Sequence, residues 1–300
     1  MDGGWTVTGM EEPGRKVAVI GAGKVGTAMA SALSSAGYRL VGVSDRDPDA
    51  RHNAASLLDM EPYADSPEAA RSADIVLITT PDGAIEETCR EVSASIDVRG
   101  KRFIHMSGAL SLDALAAAAR GGADILCVHP LQTFADLTGA LESLPGSTFG
   151  VTCDRGLEGW AHGFVSDIGG RLLLVDDSDK AAYHAAAVMA CNLMTMVQHG
   201  AQSVCGELGF TDSEARKAFM PLVRATVENI ARLGPTDALT GPLARGDIDT
   251  ISSHLQALDR IDPDLSSMYR AISLWGLRLV TERGELNEYE IEDMRKLLED

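Results

Sequence analysis

The chain has 300 residues, room for two packed domains of ordinary size, and its 45% apolar and 23% charged residues exclude disordered and fibrous classes. Lys and Arg number 26 against 44 Asp and Glu, a formal net charge of −18. So acidic a surface repels phosphate backbones and anionic lipid, which argues against nucleic acid or membrane as partner while leaving room for one anionic ligand in a local cradle.

Residues 1–13 are polar and acidic, unlike a signal peptide, and no apolar run approaches the roughly 20 residues of a membrane span. The five cysteines (89, 127, 153, 191 and 205) include no C-x-x-C pair. That pattern is neither a disulfide framework nor a zinc site and fits a reducing, cytoplasmic setting; no metal is expected.

In chain order, the β-branched run Lys16–Ile20 reads as a buried strand and Met29–Ala36 as a helix stopped by Gly37. Arg39–Ser44 is a second strand, Asp49–Leu58 a helix, Asp74–Thr80 a strand closed by Pro81, and Ile85–Val92 a helix. A strand at Arg102–Met106, an alanine-rich helix at Leu112–Arg120, and strands at Asp124–Val128, Thr148–Thr152 and Arg171–Val175 follow. Strands alternating with helices predict an α/β domain with a doubly wound, mostly parallel sheet over residues 14–176. From Lys180 the strand signals vanish. Helical stretches at Lys180–Gly206, Asp212–Leu233, Ile248–Leu258, Pro263–Arg283 and Glu288–Leu298 predict an all-helical second domain over 177–300.

Gly21-Ala22-Gly23-Lys24-Val25-Gly26 is a G-x-G-x-x-G that follows a strand and opens a helix, the context in which it binds a dinucleotide. The first glycine makes the tight turn, the second lets the backbone approach a pyrophosphate, and the third lets helix pack on strand. Asp45, ending the second strand, is placed to accept from ribose hydroxyls and favours NAD; its neighbour Arg46 would instead neutralise the 2′-phosphate of NADP. A solvated turn is the plainer alternative for this pair.

Thr79, Thr80 and Pro81 end the third strand, Ser107 the fourth and His129 the fifth, held extended by Pro130. Polar residues at successive strand ends converge on one sheet edge, where open α/β sheets bind ligands. His129 is a candidate general acid or base, or else a strand-end histidine bonded to backbone. Ser107 is a substrate contact or a capping hydroxyl. In the first helix of the second domain, His184 and Asn192 lie eight residues apart, roughly 12 Å along a helix, so they line one cleft without touching one atom. Arg245, in the loop Leu239–Asp247, has the planar fork to grip a carboxylate, and Asp247 reads as a helix N-cap. Histidines 52, 105, 162, 199 and 254 show no partner spacing and read as filler. With no G-x-S-x-G elbow at Ser107, hydrolysis is not expected.

In this order, VAVIGAGKVG, DIVLITTPD, HMSGAL, HPLQTF, YHAAAVMACN and LTGPLARGD resemble a set of bacterial Rossmann-like proteins filed as oxidoreductases of unknown substrate. These pair a dinucleotide domain with a helical domain of the 6-phosphogluconate dehydrogenase C-terminal type. The wider superfamily includes pyrroline-5-carboxylate reductase, ketopantoate reductase, prephenate dehydrogenase and F420-dependent NADP reductases. His129-Pro130 and Ser107 resemble the catalytic His-Pro motif and upstream serine of prephenate dehydrogenases, although Leu131–Phe134 departs from their glycine-containing pattern. Where ketopantoate reductases carry a catalytic lysine, this chain has His184; Val188 replaces their first asparagine and Asn192 keeps the second.

The resemblance implies hydride transfer between NAD or NADP, with NAD favoured, and a small carboxylate-bearing keto, hydroxy, imino or amino compound. His129 or His184 would exchange the proton, Ser107 and Asn192 orient the reacting group, and Arg245 hold the carboxylate. It also implies a homodimer through the helical domain. A non-catalytic dinucleotide sensor and an F420-dependent reductase are the alternatives.

Overall fold

A computed structural model describes residues 14–299; the polar leader lies outside the described residues. The chain divides into two compact units, Cys191 closing the first and Asn192 opening the second.

The first unit contains β1 (Lys16–Ile20), α1 (Lys24–Ser35), β2 (Arg39–Ser44), α2 (Pro48–Leu57), α3 (Ser66–Ala70), β3 (Ile75–Ile78), α4 (Asp82–Ser95) and β4 (Arg102–His105). A 3₁₀ turn at Leu112–Leu115, α5 (Ala116–Arg120), β5 (Asp124–Pro130), α6 (Leu137–Ser143), β6 (Thr148–Cys153), α7 (Glu158–Asp167), β7 (Arg171–Leu174) and α8 (Lys180–Val188) follow. The seven strands form one sheet in the order β2-β1-β3-β4-β5-β6-β7. β1 to β5 are parallel, β6 runs antiparallel to β5, and β7 is parallel to β6.

Strict alternation explains why the central strands read as unbroken apolar runs. Val17, Val19, Ile75 and Leu77 point to one face, packed under α1, α6 and α7 through Met29, Leu33, Ala140 and Phe164. Ala18, Ile20, Val76 and Ile78 point to the other, packed under α4 and α5 through Ile85, Cys89, Val92 and Ala118. Both faces being covered, the strand positions between them are mostly apolar, with His105 of β4 a buried exception. From β1 the chain goes to β2 on one side and then crosses back to β3 on the other side of β1. A crevice opens at such a reversal, beyond the carboxyl ends of the strands.

The structure adds helices that the sequence pattern hid. α1 begins at Lys24 rather than Met29, because Gly26 masks a helical first turn. α3, α6 and α7 were not expected: α6 carries Gly139, α7 carries Gly159 and Gly163, and α3 spans only 5 residues. α6 is nucleated by Asp136, whose side chain accepts from the Gly139 N–H.

The second unit begins within a π turn at Met189–Leu193, which interrupts the helix expected to be continuous from Lys180. It comprises α9 (Met194–Glu207), α10 (Asp212–Ala238), α11 (Ile248–Ile261), α12 (Pro263–Arg283) and α13 (Glu288–Glu299). Gly234, at φ 77°, breaks α10 where the helix was expected to end. Its core is Ile251, Leu255, Leu277, Val280, Met294 and Leu298. The compact units divide at 191/192 rather than at 176 because Lys180 and Tyr183 of α8 bond to β4–β5 side chains and backbone. Among the described residues no helix is long and apolar enough to cross a membrane.

Candidate functional site

The glycine turn is built as its sequence requires. Gly21 has φ +105°, and a Cβ there would come within 2.6 Å of the Thr79–Thr80 peptide, so the turn lies flat on the end of β3. A Cβ on Gly26 would overlap the Gly21 carbonyl and Thr79 Oγ1. Thr79 Oγ1 donates to the Gly21 carbonyl at 2.6 Å, and Lys24 Nζ donates to the Ala135 carbonyl at 2.6 Å. Val25 packs on the core, and Pro81 precedes α4 as its N-cap. Gly23 differs from the other two glycines: it is exposed, with nothing within 4 Å of its would-be Cβ. As N-cap of α1 it supplies no side-chain cap, and the first turn carries no acidic residue. The positive end of a 12-residue helix therefore faces an open position, which fits a dinucleotide's pyrophosphate.

Asp45 sits at the end of β2, but its oxygens are already engaged: Oδ2 accepts from the Ala22 N–H at 2.6 Å and Oδ1 from the Asp47 N–H at 2.9 Å. Arg46 is 71% exposed, 3.6 Å from Glu87. The hydroxyl of Thr80, also on this edge, is buried with no hydrogen-bond partner.

A second cluster forms at the ends of β4 and β5 with α8. His129 Nδ1 lies 2.9 Å from Tyr183 Oη, and the His129 and His184 rings meet edge to face at 5.7 Å. Gly108 sits against both: a Cβ there would overlap His184 Nδ1 and come within 2.9 Å of His129 Nε2. His184 Nδ1 is buried and unpartnered. Ser107 Oγ donates to Asp82 at 2.8 Å and accepts from the Ala109 and Leu110 N–H groups; it does not bond His129. Beneath lies Lys180, 2% exposed, donating to the Ser107 carbonyl at 3.2 Å and to Cys127 Sγ at 2.9 Å.

Burial dominates the electrostatics here. It pushes His129 down to about 4, helped by His184 and Lys180 and opposed by Asp82. His105, fully buried and accepting from the Ser107 N–H, is likewise held at about 4 by burial and by Lys180. Burial raises the Tyr183 phenol to about 12 and raises the Cys127 thiol, the latter against the pull of Lys180. At neutral pH the cluster therefore offers neutral imidazoles at His105 and His129 and an undissociated phenol at Tyr183.

In the second unit Asn192 falls in the π turn and is exposed. Arg245 is 65% exposed and 3.7 Å from Asp247, whose carboxylate caps α11 through the Thr250 N–H.

Residues 1–130 match the Rossmann-like domain, and residues 147–275 match the domain of unknown function DUF2520. The first part of the chain is similar to a Rossmann-like domain and the later part to DUF2520. Its motif order thus bears out the resemblance drawn from sequence. The glycine turn, Ser107 and His129 lie within the Rossmann-like match; Gly150, Lys180, Tyr183, His184, Asn192 and Arg245 lie within DUF2520.

Solved structures share the fold. A Bacteroides fragilis protein assigned as an NADP oxidoreductase has 22% identity and a TM-score of 0.72, the match covering 86% of this chain and 96% of that one. Protein TM1727 of Thermotoga maritima has 20% identity and a TM-score of 0.71, over 90% and 100% of the two chains. A reductive aminase of Aspergillus terreus, solved with NADPH4, cyclohexanone and allyl amine, has 18% identity and a TM-score of 0.62, over 93% and 98%. A comparison of the sequence with curated proteins yields no match.

Sequence reasoning missed Asp82, Cys127, Lys180 and Tyr183, and it read His105 as filler. Tyr183 and Lys180 had one available signal: they sit at i−1 and i−4 from His184, and the latter shares its helix face.

Proposed function

We propose that the protein is a nicotinamide-dependent oxidoreductase moving a hydride between NAD(P) and a small carboxylate-bearing keto, hydroxy, imino or amino compound. One observation carries the reading. The open, uncapped α1 N-terminus and the His129–His184 pair occupy the same carboxyl edge of one sheet, three strand spacings apart, about 14 Å. One end suits phosphate and the other suits proton transfer, so a single extended dinucleotide would span them. The Gly21–Gly26 turn, Arg46, Thr79 and Thr80 would hold it, and when bound it would supply or accept the hydride.

The chain's own residues do the rest. His129 and His184 hold or move the proton. Ser107, fixed by Asp82, shapes the turn that places Gly108 between them. Asn192 and Arg245 are the side chains this reading assigns to orienting the reacting group and to the substrate carboxylate. The engagement of Asp45 by two backbone N–H groups, beside an exposed Arg46, shifts the cofactor preference toward NADP(H).

The test is titration of purified protein with NADH and NADPH, followed by nicotinamide fluorescence and thermal shift. Saturable binding is expected, lost in Gly23→Trp at an unchanged melting temperature. NADPH should bind more tightly, and Arg46→Ala should weaken NADPH about 10–100-fold while sparing NADH, the worth of one charge-assisted bond to phosphate. No binding of either nucleotide up to millimolar concentration overturns the enzyme and leaves a non-catalytic protein.

We further propose a homodimer through the helical unit. Met220, Val227 and Ile230 form one exposed apolar stripe on α10, and Leu222, Phe210 and Trp275 are 64%, 53% and 58% exposed. Apolar surface on this scale marks an interface. Light scattering should give twice the chain mass, and Leu222→Glu with Ile230→Glu should give a monomer; a monomeric wild type refutes the proposal.

A further inference from the structure

Tyr183 is a residue that nothing in the sequence singled out, yet its placement is specific. The cross-strand partner of His129 on β6 is Gly150. A Cβ on Gly150 would overlap Tyr183 Oη and lie 2.5 Å from Cζ, so the phenol stands on a bare stretch of strand that any other residue would close. From there its oxygen reaches His129 Nδ1 at 2.9 Å. Of the two groups the phenol is the stronger acid and a neutral imidazole nitrogen the stronger base, so the shared hydrogen belongs to the phenol and points at Nδ1.

We infer that Tyr183 fixes His129 as the neutral tautomer protonated on Nε2, so that His129 serves this site as a hydrogen-bond donor to the substrate's reacting oxygen or nitrogen rather than as its proton carrier. Nε2, on the Gly108 side of the half-buried ring, is the nitrogen that Tyr183 does not engage and so the one available to a substrate atom. The surrounding groups agree with a neutral ring: His184 from α8 and Lys180 beneath oppose a charge on it, and the carboxylate of Asp82 is the one neighbour that favours it. The proton carrier is then His184, whose Nδ1 is buried beside the same glycine without a partner. A donor in this position polarises a carbonyl or imine without ionising. Tyr183 is a positioning residue, acting through His129.

This rests on the oxidoreductase reading only for what Nε2 donates to; the tautomer itself is read on the ligand-free protein. In full-length protein carrying ¹⁵N-labelled histidine, with the His129 signals assigned by their loss in His129→Gln, Nε2 should resonate as protonated and Nδ1 as unprotonated at pH 7. Tyr183→Phe should convert that single tautomer into an averaged pair. Gly150→Ala, whose methyl would displace the phenol, should do the same, and the milder Tyr183→Phe stands if Gly150→Ala fails to fold. In turnover, His129→Gln, whose amide reaches the Nε2 position, should retain more kcat than His129→Asn. A wild-type Nδ1–H tautomer, an imidazolium at pH 7, or a tautomer indifferent to Tyr183→Phe each overturns the inference. An Nε2–H tautomer in a protein that binds no nucleotide instead overturns the enzyme reading.

Discussion

His129→Ala is expected to lower kcat by about 10²–10⁴-fold while leaving dinucleotide affinity nearly unchanged. The side chain sits at the end of β5, away from the glycine turn on β1, so its loss removes proton or hydrogen-bond chemistry and spares the phosphate cradle. His184→Ala should fall in the same range, since its ring lies against the same glycine, Gly108, and meets the His129 ring edge to face. Turnover by each variant on a panel of keto and imino acids, beside nucleotide titration, checks the split; full activity in both variants removes the assignment. The pH dependence has a definite sign. An imidazole in the unfolded chain titrates near 6.5. His105 and His129 are held at about 4 in the fold, so the folded state binds fewer protons between those values. Their contribution to stability is therefore full above about pH 6.5 and lost as pH falls through 4. Denaturant melts should show a weaker fold at pH 4.5 than at pH 7, and activity should not titrate at His129 between pH 6 and 8.

What the sequence disclosed and what it withheld follow from how each feature is encoded. The central strands were legible because burial on both faces makes them apolar throughout, and the glycine turn because three fixed backbone demands leave a spaced pattern. Ser107 and His129 were legible by position, as polar residues ending apolar strands. α6 and α7 were not, because their glycines break helix composition while packing on the sheet maintains the helix. Tyr183 and Lys180 were hidden for another reason. Their neighbours lie 54 and 73 residues away in sequence, and no local spacing records a contact that only the approach of α8 to β4 and β5 creates. Asp45 shows the converse: its position was read correctly, but its hydrogen bonds go to the turn's own backbone, a competition no spacing rule reveals.

Gly26→Val should damage both fold and binding, and comparison with Gly23→Ala separates the two. At Gly26 the new side chain would overlap the Gly21 carbonyl and Thr79 Oγ1, backbone and side chain that are themselves hydrogen-bonded to each other. Neither can yield without unseating the turn, so overpacking of about 1–3 kcal/mol or more is expected. In a unit of this size that lowers Tm by roughly 2–4 °C per kcal/mol. Nucleotide binding should vanish with it, because α1 could no longer seat its N-terminus on the strand end. Gly23→Ala meets no protein atom within 4 Å and should melt as the wild type does, yet its methyl enters the space through which a pyrophosphate must approach the backbone. Weakened binding at unchanged Tm in Gly23→Ala, against a lowered Tm in Gly26→Val, is the pattern a phosphate cradle requires. Wild-type affinity in both variants would place the dinucleotide elsewhere, because Gly23 caps the helix end that the cradle offers and Gly26 seats that end on the strand.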